Sequence, residues 1–295
     1  MEYPSCQHIE QYLVPGKRCH LVGIGGVSMR PLGLVLRRMG MEISGSDMNA
    51  SVSTDELISK GIQVSIGHRA ENIEGVDCLI RTAAAHNDNP EIAAARAKGI
   101  PIFERAQAWG YIMQAYKNAI CVSGTHGKTT TTSMCTHIMM AAEKDPTVMI
   151  GGTLPLLKAC HRVGKGNTII MESCEYYNSF LALNPTIAVV LNIEADHLDF
   201  FKDIEDIKHS FRQFAERVPA ETGTVIANCD DANTMDALRG IARKVITFGL
   251  NAKADVYAQN IVHRGSVSEF DIYHRGNYFA RVTLHVPGIH NVRNA

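Results

Sequence analysis

The sequence predicts an α/β protein: a Rossmann-like parallel-sheet domain over residues 1–117, then a P-loop ATPase-like α/β domain over 118–295 carrying a small antiparallel β meander. Three observations predict it. A strand, a glycine turn and a helix start occur at residues 18–29 and begin afresh at residue 119. Around them, apolar runs of strand length alternate with helical stripes that close on glycine, the pattern of a parallel sheet. At residues 255–286 the alternation gives way to short period-two runs (Tyr257, Ile261, Phe270, Ile272, Tyr278, Val282, Leu284), which suit antiparallel strands.

Bulk composition narrows the function classes. A length of 295 residues favours two domains over one core, and 45% hydrophobic with 20% charged residues is the balance of an ordered chain. The 29 basic and 30 acidic residues leave a net charge of −1, so no nucleic-acid footprint is expected. No run approaches the roughly 18 apolar residues of a membrane span. Residues 1–14 hold Glu2 and Glu10 and no apolar core, so no signal peptide is expected. Eight cysteines lie scattered without a C-x-x-C pair, which suits small buried thiols in a reducing, cytoplasmic setting.

The first glycine turn is Gly23-Ile24-Gly25-Gly26-Val27-Ser28, after the strand that starts at Arg18. A helical stripe from Leu32 to Met39 follows, and then a strand over 41–47 ending in Asp47. An acid about 20 residues beyond the glycines is the layout of a dinucleotide-binding βαβ unit. Ser28 stands where the third glycine of G-x-G-x-x-G would be, which weakens a nicotinamide oxidoreductase reading and leaves another diphosphate open. A helix over 54–60, strands over 63–66 and 77–81, an Ala-rich helix over 90–98 and a strand over 100–103 continue the alternation. Thr82 sits at a strand's carboxyl end, where ligands bind in open α/β sheets. Its alternative is plain loop packing. An amphipathic segment over 104–116 with the sole tryptophan, Trp109, closes the unit.

The second unit opens on Ser123-Gly124-Thr125-His126-Gly127-Lys128-Thr129-Thr130. Glycines let backbone N–H groups turn toward an anion, a helix N-terminus adds positive potential, and a lysine can reach outer phosphates. A hydroxyl directly after the lysine can ligate Mg²⁺. The strict spacing of the usual pattern is not met, because two residues rather than four separate the glycines. The bland alternative is a threonine-capped turn, which has no need of Lys128. Two further apolar strands, 167–171 and 186–191, deliver Glu172 and then Asp196 with His197 at their carboxyl ends. Singly, Glu172 could cap a helix and His197 could be a surface residue. If the strands are neighbours, all these groups meet on one edge, where a phosphate would want a cation and a cation would want Glu172 and His197. Helices over 204–218 and 230–239 and strands over 223–228 and 244–248 lead to the meander. Residues 288–295 read as the opening of a helix, which suggests a truncated chain.

These residues resemble the Mur ligases. The resemblance rests on His20-Leu-Val-Gly-Ile-Gly-Gly, Gly45-Ser-Asp47, Asp88-Asn-Pro-Glu91, the Gly-Thr-His-Gly-Lys-Thr-Thr-Thr loop, Asn192-Ile-Glu-Ala-Asp-His197 and His290-Asn-Val-Arg-Asn-Ala295, and runs over essentially the whole chain. It implies an ATP-dependent carboxylate–amine ligase of cell-wall synthesis, with the His-x-x-Gly-Ile-Gly-Gly start pointing to the branch that adds L-alanine to UDP-N-acetylmuramate. By resemblance, Gly23, Gly25, Gly26, Val27, Asp47 and Thr82 would hold the UDP-sugar. Gly124, Thr125, His126, Gly127, Lys128, Thr129 and Thr130 would hold ATP, with His290 and Asn291 at its adenine. Thr129, Glu172 and His197 would ligate Mg²⁺, and Lys128, Glu172 and His197 would be catalytic; the 25-residue separation of Glu172 and His197 agrees with the family motif. The amino-acid-binding third domain of the family is expected to be missing, so the chain should bind both nucleotides weakly and turn over little. Some sister ligases use a carbamoylated lysine, and the helix after the His motif shows no clear match for it, Lys208 being the only lysine over 206–218. A murein-peptide recycling ligase and a non-catalytic nucleotide-binding module remain the rival readings.

Overall fold

The computed structural model describes residues 8–295; Cys6, and residues 1–7 of the segment read for a signal peptide, lie outside them. The chain forms two compact units, one running to Ile112 and taking in His161–Val163, the other Met113–Cys160 with Gly164–Ala295.

In the first unit the elements are β1 (Arg18–Val22), α1 (Met29–Arg38), β2 (Glu42–Asp47), α2 (Val52–Ser59), β3 (Gln63–Ile66), β4 (Cys78–Arg81), α3 (Pro90–Ala97), β5 (Ile102–Glu104) and α4 (Arg105–Met113). The strands form one parallel sheet in the order β3-β2-β1-β4-β5. The chain winds outward from β1 in one direction and from β4 in the other, so β1 and β4 flank the switch point where open sheets bind ligands. Helix ends follow local chemistry. Ser51 and Thr54 close a reciprocal capping box on α2, and the Asn89 side chain accepts from the N–H groups of Glu91 and Ile92 ahead of Pro90. Helix α1 buries Leu32, Val35 and Leu36, from the stripe legible in the sequence, together with Met29, and Trp109 on α4 is buried, donating its indole N–H to the Ser28 carbonyl at 3.3 Å.

The second unit contains β6 (Asn118–Ser123), α5 (Lys128–Ala141), β7 (Thr147–Leu154), β8 (Ala159–Arg162), β9 (Thr168–Glu172), β10 (Ile187–Val190), α6 (Ile204–Glu216), β11 (Thr224–Asn228), α7 (Ala232–Ala237), β12 (Lys244–Gly249), β13 (Val256–Arg264), β14 (Val267–His274), β15 (Asn277–Leu284) and α8 (Ile289–Asn294). Its sheet runs β15-β14-β13-β12-β11-β10-β6-β9-β7-β8. Pairing is parallel from β7 through β12 and antiparallel across β13, β14 and β15, so the meander continues the main sheet instead of standing apart. Cross-strand stacking of Tyr257 on Tyr273, centroids 5.4 Å apart, supports the register there.

Strand β6 lies between β10 and β9. Its flanks are apolar: Ile120, Val122, Val148, Ile150, Ile170, Val189 and Leu191 form one buried cluster. At about 1.5–3 kcal/mol for each fully buried large aliphatic side chain, this cluster fixes which strands neighbour β6. Strands β7 and β8 are not foreshadowed by alternation in the sequence. Gly151 and Gly152 interrupt the apolar run of β7, and packing on β9 overrides their weak strand preference.

Candidate active site

In the first unit the turn after β1 is held by the end of β2. The N–H groups of Gly23 and Ile24 donate to the Ser46 carbonyl at 2.8 and 2.9 Å, and Gly25 N–H donates to Asp47 Oδ2 at 2.9 Å. Gly23 has φ +79°, and a Cβ there would lie 2.7 Å from Thr82 Cγ2, so backbone conformation and the approach of β4 both demand glycine. Gly23, Gly25, Gly26, Asp47 and Thr82 thus gather at the β1/β4 switch point, and Val27 stands 52% exposed on the outer turn. Where the third glycine was expected, Ser28 precedes α1 with its hydroxyl buried and without a hydrogen-bond partner.

Beneath this turn lies a buried carboxylate network that sequence reasoning missed. Glu91 and His20 are 0% and 1% exposed. Glu91 accepts from Ser46 Oγ at 2.7 Å and from Asn72 Nδ2 at 2.6 Å, lies 2.9 Å from His68 Nδ1, and has His20 Nε2 at 3.4 Å. Burial pushes its carboxyl upward, but the adjacent His20 imidazole and the hydrogen bonds from Ser46 and Asn72 prevail and bring it down to about 2. Ser46 connects the network to the turn, since its side chain meets Glu91 while its carbonyl holds Gly23 and Ile24. The Asn-Pro-Glu run carried Glu91 in plain sight; burial of an acid in the first turn of α3 has no sequence signal.

In the second unit, β6 runs into Gly124 and α5 starts at Lys128. Gly127 caps α5 with φ +85°, and a Cβ there would be 3.0 Å from the Asn294 amide of α8. Asn192, just past β10, clamps the loop. Its Oδ1 accepts from His126 N–H at 2.7 Å, its Nδ2 donates to the His126 carbonyl at 3.0 Å, and its own carbonyl accepts from Thr125 N–H at 3.0 Å. Glu194 N–H donates to Thr125 Oγ1 at 2.9 Å. The threonine run divides by role. Thr132 and Thr136 donate back to the carbonyls of Lys128 and Thr132, a local helix habit, whereas exposed Thr129 donates to Glu172 Oε1 at 2.9 Å. Thr130 is half-buried on the first turn of α5.

The registers Val122↔Glu172 and Val190↔Ser123 bring the carboxyl ends of β9, β6 and β10 to one edge. Lys128 Nζ donates there to the carbonyls of Gly124 and Thr125, at 2.5 and 3.1 Å, and to both oxygens of Glu175, at 3.2 and 3.1 Å. Glu175 is 2% exposed, and its Oε1 lies 4.0 Å from His197 Nε2. Glu172 is held separately: besides Thr129 it accepts from Gly151 N–H at 2.7 Å. The sequence pointed to neither Glu175 nor Asn192 for these roles. An E-x-x-E spacing was the available hint for Glu175, but only the fold shows which carboxylate meets the lysine.

Backbone strain concentrates nearby. Tyr177, Asn178 and His197 have φ of +53°, +56° and +52°, a region costly for residues with a Cβ. The Tyr176 ring stacks on His197 with centroids 4.3 Å apart, and its hydroxyl donates to Asp199, which together fix the imidazole plane. On α8, Asn291 is buried and donates to the Pro287 carbonyl at 2.6 Å, while His290 faces outward.

The Thr129 hydroxyl and Glu172 carboxylate form a hard-oxygen pair of the kind Mg²⁺ takes. His197 is placed against Glu175 and Asp196, and among the described residues no three His, Cys, Asp or Glu side chains gather as a metal set. Lys208 on α6 bonds Glu205 at 2.8 Å and Asp236 at 3.1 Å, and these bonds raise its pKa, which keeps it a paired ammonium. Among the described residues no helix is long and apolar enough to cross a membrane.

Comparison with known proteins places this geometry. The family described as "Mur ligase family, catalytic domain" matches residues 18–117, and the Mur ligase middle domain matches 122–295. A UDP-N-acetylmuramate–L-alanine ligase of Caldanaerobacter subterraneus is 45% identical over 95% of this chain and 61% of its own length, and one of Agathobacter rectalis is 46% identical over 94% and 60%. Among solved structures, UDP-N-acetylmuramate-alanine ligase of Thermotoga maritima aligns at TM-score 0.79 and 28% identity, over 94% of this chain and 62% of that one. The UDP-N-acetylmuramate:L-alanyl-γ-D-glutamyl-meso-diaminopimelate ligase of Neisseria meningitides aligns at TM-score 0.84 and 26% identity, over 95% and 90%. The chain spans about three fifths of the length of the curated relatives it matches. With both units matched in order across nearly all its residues, the chain belongs to the Mur ligase family.

Proposed function

We propose that this chain carries the sugar-nucleotide-binding and ATP-binding parts of a ligase that joins L-alanine to UDP-N-acetylmuramate, in the cytoplasm, for peptidoglycan precursor synthesis. The observation that carries the reading is the edge where Lys128, the Thr129–Glu172 pair and the Glu175–His197 pair meet at the start of α5. Gly124, Thr125, His126, Gly127 and Thr130 would line the ATP phosphates, the N–H groups of Thr125 and His126 being spent on Asn192 to shape the loop, and His290 and Asn291 would meet the adenine. Thr129 and Glu172 would hold Mg²⁺, with His197 as a further ligand. In the first unit, Gly23, Gly25, Gly26, Val27, Asp47 and Thr82 would hold the UDP end of the acceptor.

The chemistry follows from the electrophile. A carboxylate resists attack by an amine, so its oxygen first takes the γ-phosphoryl group of ATP as the bond to the β-phosphate breaks and ADP leaves; the amine of alanine then attacks the acyl phosphate, phosphate departs, and the amine gives up a proton as the amide forms. Lys128 offsets charge on the phosphoryl oxygens, and the loop clamped by Asn192 fixes their direction. Mg²⁺, when bound, would withdraw further charge from the same oxygens. A second reading, a ligase that attaches a ready-made peptide to the same sugar nucleotide, is favoured by the likeness to the Neisseria enzyme.

Calorimetric titration of the chain with UDP-N-acetylmuramate and with UDP-N-acetylglucosamine tests the acceptor. Binding of the muramate form with clear preference supports the reading; equal heats for both sugars, or none for either, count against it.

A further inference from the structure

We propose that Glu175 is a positioning residue that clamps Lys128 onto its own loop, and that a nucleoside triphosphate must displace it to recruit the lysine. The inference rests on the ATP-site reading above. All the contacts around Nζ point inward: the carbonyls of Gly124 and Thr125 and both oxygens of Glu175, within 3.2 Å. An ammonium has three protons to give, so those acceptors already exceed its capacity. Lys128 and Glu175 are 15% and 3% exposed at their side chains, so solvent screens the pair little. Glu175 also stands at the hinge of the strained segment, immediately before Tyr176 and the left-handed Tyr177 and Asn178. That geometry aims its carboxylate back at α5.

Two consequences share a direction. An incoming triphosphate must exchange a charge-assisted, bidentate contact for its own contact with the lysine, so part of its binding energy is consumed. It must also approach a buried carboxylate of like charge. Replacing that carboxylate with its amide isostere therefore strengthens nucleotide binding, the opposite of what loss of a merely structural residue does. Glu175 in this role excludes anions too weak to compete, and the pair re-forms when the nucleotide leaves.

The test is ATP–Mg²⁺ titration of the wild-type chain, Glu175→Gln and Glu175→Asp, at about 0.1 M and about 0.5 M salt, where the screening length falls from about 10 Å toward 4 Å. Glu175→Gln binds about tenfold tighter, the gap between a charge-assisted and a neutral hydrogen bond. Glu175→Asp keeps the charge but withdraws it by one methylene; it falls nearer to Glu175→Gln than to wild type. Both gains persist at high salt. Unchanged or weaker binding by a Glu175→Gln variant that melts cooperatively overturns the proposal. So does a gain that vanishes at high salt or that Glu175→Asp lacks, since either makes it a general charge effect. No ATP–Mg²⁺ binding by the wild-type chain would instead remove the ATP-site reading, and this inference with it.

Discussion

Neutralising Glu91 should unmask how much the buried network under the first glycine turn contributes. The carboxyl falls from an ordinary 4.5 to about 2 because His20, Ser46 and Asn72 outbid its desolvation. At about 1.4 kcal/mol per pH unit, that depression corresponds to about 3 kcal/mol of stability. Because the folded value is depressed, the contribution is fully present above pH 4.5 and is lost as pH falls toward 2. In Glu91→Gln, an amide NH₂ would face groups that already donate, so roughly the same amount disappears, a drop in melting temperature of about 10 °C if the first unit unfolds by itself. Urea unfolding of wild type and variant at a series of pH values from 7 to 3 reads this directly. The difference should be flat above pH 5 and shrink below pH 4.5. A difference under about 0.5 kcal/mol at neutral pH, or one that does not change with acid, would refute the reasoning.

Other expectations concern the second unit. Gly127→Ala adds a Cβ 3.0 Å from Asn294 at φ +85°, so it should cost about 1–2 kcal/mol by thermal melting and weaken ATP binding; a neutral result would contradict the close approach of α8. Asn192→Ala removes both side-chain bonds to His126 and should weaken ATP binding about tenfold or more, with little change in UDP-sugar binding. Glu172→Gln should raise the Mg²⁺ concentration needed for half-maximal ATP binding severalfold; an unchanged Mg²⁺ dependence would remove Glu172 from the metal site.

Much of the fold was legible because burial imposes periodicity. The strands from Gln63 to Ile66 and Lys244 to Phe248, the stripe of α1 and the helix after Pro90 all follow from apolar spacing, caps and closing glycines. The meeting of Lys128 with the Glu172 strand end was legible too, since consecutive apolar strands after a phosphate-type loop deliver their carboxyl ends to one edge. Strands β7 and β8 were not, because adjacent glycines and short length erase alternation while neighbouring strands still accept them. Which acid pairs with which base also stayed hidden. The Tyr176 stack and the left-handed turn at Tyr177 and Asn178 set His197 beside Glu175, a neighbour that nothing local in the sequence announces. Glu91 shows the same limit, since its partners come from β1, β2 and the segment after β3, and a local pattern cannot report contacts so distant in sequence.

The most direct measurement is calorimetric titration of ATP–Mg²⁺ into the wild-type chain and Lys128→Ala. Removing the ammonium should cost about a hundredfold or more in affinity, as loss of a charge-assisted phosphate contact does, and leave UDP-sugar binding in place. Equal affinity in the two proteins would contradict a triphosphate seated on the Gly124–Lys128 loop.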